Sequence, residues 1–271
     1  MDALEYADRI ALDDERVAVC GDWHGNVGWA RTLARIIPAL APDVTTIFQL
    51  GDWWMPPDTV DEIFAETNID RIYVTLGNHE PWPEITPLFD ERPGVAVRVS
   101  TTTWLLARPA RLVIGGRSVL SLGGAASVDR LWRISGAGWW PDEAITDEHV
   151  AAAIAGGPAS LMLTHESPAH TPVRAVRDVL RTNPMGFPDE TLAESKGSRA
   201  RVAHIWDAVR PELLIHGHMH VAGGGATEDG RRVASLGRDT QAGSLAFLDL
   251  RTLRLETPSL HQMRTAAFPD A

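Results

Sequence analysis

The first third of the chain alternates short β-branched or aliphatic runs with segments of helical periodicity. That alternation restricts the fold most, because it demands parallel strands joined by crossover helices. Val17-Ala18-Val19-Cys20, Thr45 to Leu50 and Ile72 to Leu76 read as buried strands. Between the first two, Trp29, Leu33, Ile36, Ile37 and Leu40 share one helix face, disturbed near its end by Pro38. Val60 to Phe64 predicts a short helix, which completes a βαβαβ run. Four short runs follow, Val95 to Val99, Trp104 to Leu106, Leu112 to Ile114 and Val119 to Leu122, spaced as antiparallel hairpins. After a long loop from Gly123 to Pro141 come a helix around Glu148 to Ile154 and the strand Leu161-Met162-Leu163. Val202, Ile205, Trp206 and Val209 mark a further helix face; strands are expected at Leu213 to Ile215, Val233 to Leu236 and Leu245 to Leu250. With no internal repeat and no boundary, residues 1–271 are expected to form one domain, with a surface loop or lid at 182–198 and a flexible tail at 257–271.

Composition narrows the function. A chain of 271 residues, 44% apolar and 23% charged, can bury its own core, which excludes disorder and fibrous repeats. The lone Cys20 excludes an internal disulfide and a zinc-ribbon cluster. Lys plus Arg total 25 and Asp plus Glu 36, a net charge of −11 that repels polyanions, so general nucleic-acid binding is not expected. No stretch approaches the ~18 apolar residues of a membrane span, and Met1 to Ile10 lacks the apolar core of a signal peptide. A cytoplasmic location without membrane association is the expectation.

Metal-ligating side chains follow the strand ends. Asp22 and His24 come after the first strand, Asp52 after the second and Asn78 with His79 after the third. His165 follows Leu163, and His218 and His220 follow Ile215. In open α/β sheets ligands bind outside the carboxyl ends of strands, so segments distant in sequence can converge there. Glycine precedes several of them, as in Gly21-Asp22, Gly51-Asp52, Gly77-Asn78 and Gly217-His218, which suggests sharp turns away from the strands. Oxygen and imidazole donors without thiolate suit Mn²⁺, Fe or Zn²⁺. Seven such ligands exceed the need of one ion and fit two ions sharing a carboxylate.

The segments Gly21-Asp22-Trp23-His24-Gly25-Asn26, Gly51-Asp52, Gly77-Asn78-His79-Glu80, Thr164-His165-Glu166 and Gly217-His218-Met219-His220 together resemble the signature set of the calcineurin-like metallophosphoesterases, in order and spacing. Gly123 to Arg130 with Trp139-Trp140-Pro141 resembles bacterial and phage members. The resemblance implies an α/β fold of four αββα layers, two mixed β-sheets face to face with helices outside. A doubly wound single sheet would produce the same linear pattern. It further implies that Asp22, His24 and His220 hold one divalent transition-metal ion and Asn78, His165 and His218 a second, with Asp52 bridging. Mn²⁺ is the favoured ion, with Fe or Zn²⁺ as alternatives. His79 would stand near the leaving group as a general acid, while a water activated by the metal pair attacks phosphorus.

Other residues carry competing readings. Glu80 is a candidate to orient His79, or else a solvated surface group. Arg130 or Arg133 could contact a phosphate oxygen or form a surface ion pair. Trp23 and Trp53 directly follow ligand candidates and could stack on a nucleobase, or else fill the core. His216 ends a strand and reads as a buried structural residue. The expected activity is hydrolysis of a phosphodiester or phosphomonoester in a small, nucleotide-like substrate. A serine/threonine protein phosphatase is the alternative, although Trp53-Trp54-Met55 replaces the Asp-Arg-Gly continuation of that subfamily. A non-catalytic scaffold of the same fold is a third reading, and it normally lacks ligands that are all present here.

Overall fold

The computed structural model describes residues 4–269. Their strands form two mixed sheets. The first has the order Glu5–Ala7, Ala96–Arg98, Thr103–Leu106, Arg71–Thr75, Thr46–Gln49, Arg16–Cys20, Leu245–Asp249, Arg254–Glu256. The second runs Gly223–Ala226, Arg232–Ser235, Leu213–His216, Leu161–Thr164, Arg117–Leu122, Ala110–Ile114, Ile10–Leu12. Seven α-helices occur among the described residues: α1 (Val27–Leu40), α2 (Pro57–Phe64), α3 (Trp82–Glu91), α4 (Asp147–Ala155), α5 (Arg174–Thr182), α6 (Asp189–Val209) and α7 (Leu260–Ala267).

Alternation along the strands sorts the side chains into three cores. Val17 and Val19 share the inter-sheet core with Phe48, Leu163 and Ile215. Ala18 and Cys20 face the opposite way, toward Leu33 and Ile36 of α1, Phe64 of α2 and Met263 of α7. Met162 and Leu214 join Val150 of α4, Val176 of α5 and Val202 of α6 in the third core. The layer order is therefore helix, sheet, sheet, helix, as the resemblance implies. Central strands are covered on both faces, so they carry no polar alternation that would reveal a second sheet.

The structure corrects several local expectations. The middle runs do pair as antiparallel hairpins, Ala96–Arg98 with Thr103–Leu106 and Ala110–Ile114 with Arg117–Leu122, but the two hairpins fall in different sheets, and Thr103–Leu106 also pairs in parallel with Arg71–Thr75. Residues 182–198 are not a long loop. Only 183–188 connect α5 to α6, because Pro188 occupies the N-cap and Asp189 and Glu190 favour the first helical turn electrostatically. The tail holds α7, capped reciprocally by Ser259 and Gln262, with Met263 and Ala267 buried.

Candidate metal centre

Parallel pairing sets the site. Arg16–Cys20, Thr46–Gln49 and Arg71–Thr75 run in parallel, as do Leu161–Thr164 and Leu213–His216, so five carboxyl ends open on one edge of the sandwich. The loops leaving them are crowded. A Cβ on Gly77 would collide with the Asp52 backbone, and one on Gly217 with the Asp22 carboxylate. At these two positions glycine serves close approach, while the positive φ sits on ligand candidates themselves: His24 (48°), Asp52 (51°), His218 (62°) and His220 (52°). Non-glycine residues in that region are strained and cluster at functional sites.

Ligand atoms of Asp22, His24, Asp52 and His220 all lie within 4.8 Å of one another. Asp22 Oδ2 is 3.0 Å from His220 Nε2 and, though buried, has no hydrogen-bond partner. Asp52 faces two imidazoles: Oδ2 is 3.6 Å from His24 Nε2, and Oδ1 is 3.4 Å from His165 Nε2. His165 donates from Nδ1 to the Leu50 carbonyl at 2.6 Å, which leaves Nε2 turned toward Asn78 Oδ1 at 2.8 Å. The Asn78 amide has a fixed orientation, because its Nδ2 donates to Ser127 Oγ at 2.9 Å and Ser127 in turn donates to Glu143 at 2.6 Å. Lone pairs of His165, Asn78 and Asp52 thus converge, an arrangement that requires a proton or a cation among them. The His218 ring centroid is 4.9 Å from that of His165, and its Nε2 is 3.9 Å from Glu166 Oε2.

Charge in the cluster shifts the pKa values accordingly. Burial opposes the charged form of His24, yet hydrogen bonding to Asp52 and the charges of Asp52 and Asp22 outweigh it and raise the pKa to about 9. Burial, followed by the charge of His165, holds His218 well below its ordinary value and so neutral. A set of buried oxygens and buried or half-buried imidazoles, with one orphaned carboxylate oxygen, fits divalent transition-metal ions.

Supporting residues escape the sequence reading. Asp239 Oδ1 accepts from His24 Nδ1 at 3.1 Å, and Oδ2 accepts from Asn26 Nδ2 at 2.7 Å. Glu80 neither orients His79 nor reaches solvent: it is fully buried and accepts the backbone N–H groups of Gly77 and Trp53, tying together two ligand-bearing loops. Burial and the nearby Asp52 push its pKa up to about 7. His216 is buried as expected, its Nδ1 on the Gly217 carbonyl.

Three substrate-contact candidates lie elsewhere. Arg130 is paired with Glu190 and Glu194 of α6 and does not contact the cluster. Arg133 is the arginine at the site, with Nη2 3.1 Å from His79 Nε2 and 2.7 Å from Asp129. Trp23 and Trp53 are buried and stack on each other at 5.1 Å, so they fill the core. The next residue, Trp54, is 38% exposed and sets its ring edge-on to His24 at 5.6 Å and His79 at 5.7 Å. Burial and Arg133 lower the His79 pKa, against the opposing charge of Asp52. A cleft of about 560 Å³ opens over Asp52, Asn78, His218 and His220, with Arg199 and Arg238 on its walls and Phe187 at the α5–α6 connection.

Residues 15–222 match the calcineurin-like phosphoesterase family. No curated protein matches the chain at a significant level. Among solved structures, TT1561 of Thermus thermophilus is similar over 90% of this chain and 98% of its own, at 15% identity and a TM-score of 0.52. A dimetal phosphatase from Danio rerio is similar over 88% of this chain and 93% of its own, at 11% identity and a TM-score of 0.50. Likenesses at these identities speak for the shared fold.

Proposed function

From the premise that this chain belongs to the calcineurin-like phosphoesterase family and is a metallophosphoesterase, we propose that it hydrolyses a phosphodiester or phosphomonoester of a small substrate with two divalent ions. Asp22, His24 and His220 would hold one ion and Asn78, His165 and His218 the other, with Asp52 serving both. Mn²⁺ is the favoured ion, with Fe or Zn²⁺ as alternatives. The observation that carries this reading is Asp52, whose two oxygens face imidazoles from opposite sides at 3.6 and 3.4 Å. A small substrate suits the cleft, which falls within the roughly 300–1,000 Å³ usual for small-molecule sites.

Bound ions of this kind supply Lewis acidity and lower the pKa of water. The chain's own groups do the rest. Hydrolysis forms a bond from water oxygen to phosphorus, breaks the ester P–O bond and leaves one proton on the departing oxygen. His79 lines the cleft and is placed to deliver that proton. In the free chain Arg133 donates to His79 Nε2, so the ring is neutral there. A phosphoryl oxygen competes for Arg133, and once the guanidinium turns to it Nε2 is free to take up a proton from solvent, which the ring then passes to the departing oxygen.

The test is Asp52→Asn, with metal content measured by plasma emission and turnover by hydrolysis of an aryl phosphodiester. The variant is expected to lose bound metal and fall to background hydrolysis. Wild-type metal content with wild-type turnover would overturn the bridging role.

A further inference from the structure

A second cavity, of about 710 Å³, adjoins the ligand-floored cleft, and His79 lines both. Its walls include Trp54, Met55, Ile85, Leu88, Val99 and Trp140. Trp54 lines the second cavity beside the shared His79, its ring against both His24 and His79. Its backbone is left-handed, with φ of 47°, a conformation that a bulky residue keeps only where the surroundings over-determine it.

We propose that this second cavity is the leaving-group subsite and that it takes an apolar, aryl-bearing alcohol. The proposal rests on the phosphoesterase reading above. The ester oxygen that receives the proton must lie within reach of His79. With phosphorus over the ligand cluster, the substituent on that oxygen continues past His79 into the second cavity. When the ester P–O bond breaks, its electron pair goes to that oxygen together with the proton, the water oxygen having bonded to phosphorus. Polar groups on these walls are few. Glu80 is committed to the backbone N–H groups of Gly77 and Trp53, and Arg133 to Asp129 and, with substrate bound, to the phosphoryl oxygen. Of the carboxylates and guanidinium groups that leaves Glu84, which repels an anionic leaving group. A nucleobase would find almost no partners for its edge, whereas an apolar ring meets tryptophan, leucine, isoleucine and valine.

The experiment compares methyl phosphodiesters of phenol and of para-butylphenol, leaving groups of near-equal acidity that differ in apolar bulk, on the Mn²⁺-loaded chain. Wild type is expected to favour the butylphenyl ester by about tenfold or more in kcat/KM. Leu88→Arg, which places a charge in the cavity, is expected to remove most of that preference. Trp140→Ala is the second variant, and thermal melts establish that both fold. Turnover that persists with equal kcat/KM for the two esters in wild type, or with an unaltered ratio in both variants, overturns the subsite and leaves the phosphoesterase reading standing. If neither ester is hydrolysed with Mn²⁺, Fe²⁺ or Zn²⁺, the functional reading fails instead, and calorimetry with para-butylphenol decides the cavity. Binding to wild type that Leu88→Arg abolishes supports an apolar-alcohol site, and no binding overturns it.

Discussion

His24 is braced from behind. Asp239 accepts from its Nδ1 at 3.1 Å and is itself held by Asn26 at 2.7 Å, while Asn26 Oδ1 caps α1 by accepting from Trp29 N. A carboxylate on the far nitrogen fixes the tautomer, aims Nε2 and raises its basicity. Asp239→Asn is expected to weaken Mn²⁺ binding about tenfold or more, read by calorimetric titration of chelator-treated protein. Unchanged affinity would show that the contact does not orient the ring. The ligand candidates are legible in the sequence because each closely follows a strand and carries a donor atom. Asp239 obeys the same grammar, as Gly237-Arg238-Asp239 after the expected strand Val233 to Leu236. That signal could have singled it out, but only packing shows that its carboxylate meets a histidine. Trp23 and Trp53 mislead in the opposite way. Both adjoin ligands in sequence, yet side chains leaving a turn point in different directions, and Trp54 is the one that faces the site.

Among the elements, the loop from Gly123 to Thr146 has a structural task that its composition conceals. It carries Ser127 and Glu143, which hold the Asn78 amide, while Trp82 at the start of α3 holds the Asn78 carbonyl at 3.0 Å. Burial raises the Glu143 pKa from 4.5 to about 7, against the hydrogen bonds from Ser127. The folded chain therefore binds this proton more tightly than the unfolded chain does. The resulting stability is fully present below about pH 4.5 and is lost as pH rises through about 7. Glu143→Gln removes that titration. Between about pH 5 and about pH 8, the wild-type melting temperature is expected to fall relative to that of the variant, and parallel profiles would refute the assignment. Long amphipathic helices and central strands can be read from sequence. Gly223–Ala226 cannot, since glycine disfavours strands and only pairing with Arg232–Ser235 imposes one. In α3, Pro83 and Pro87 hide the helix, and in α5 only Val176 is fully buried, which leaves too faint a periodicity.

At the scale of the whole molecule, the family-matched residues 15–222 do not make a complete body. Leu245–Asp249 pairs with Arg16–Cys20 in the first sheet, Arg232–Ser235 pairs with Leu213–His216 in the second, and Met263 of α7 belongs to the core beneath α1. A chain ending at residue 222 is expected to show no cooperative thermal transition by circular dichroism, because two interior strands lose their partners and apolar faces are bared. A cooperative melt would place those last elements outside the folding unit. His24 and its partner Asp239 stand 215 residues apart in the chain, and Asp22 and His218 stand 196 apart. During synthesis, then, every residue from Asp22 to His220 must emerge from the ribosome before the donors can assemble, so a chain halted between them has no cage with which to scavenge ions.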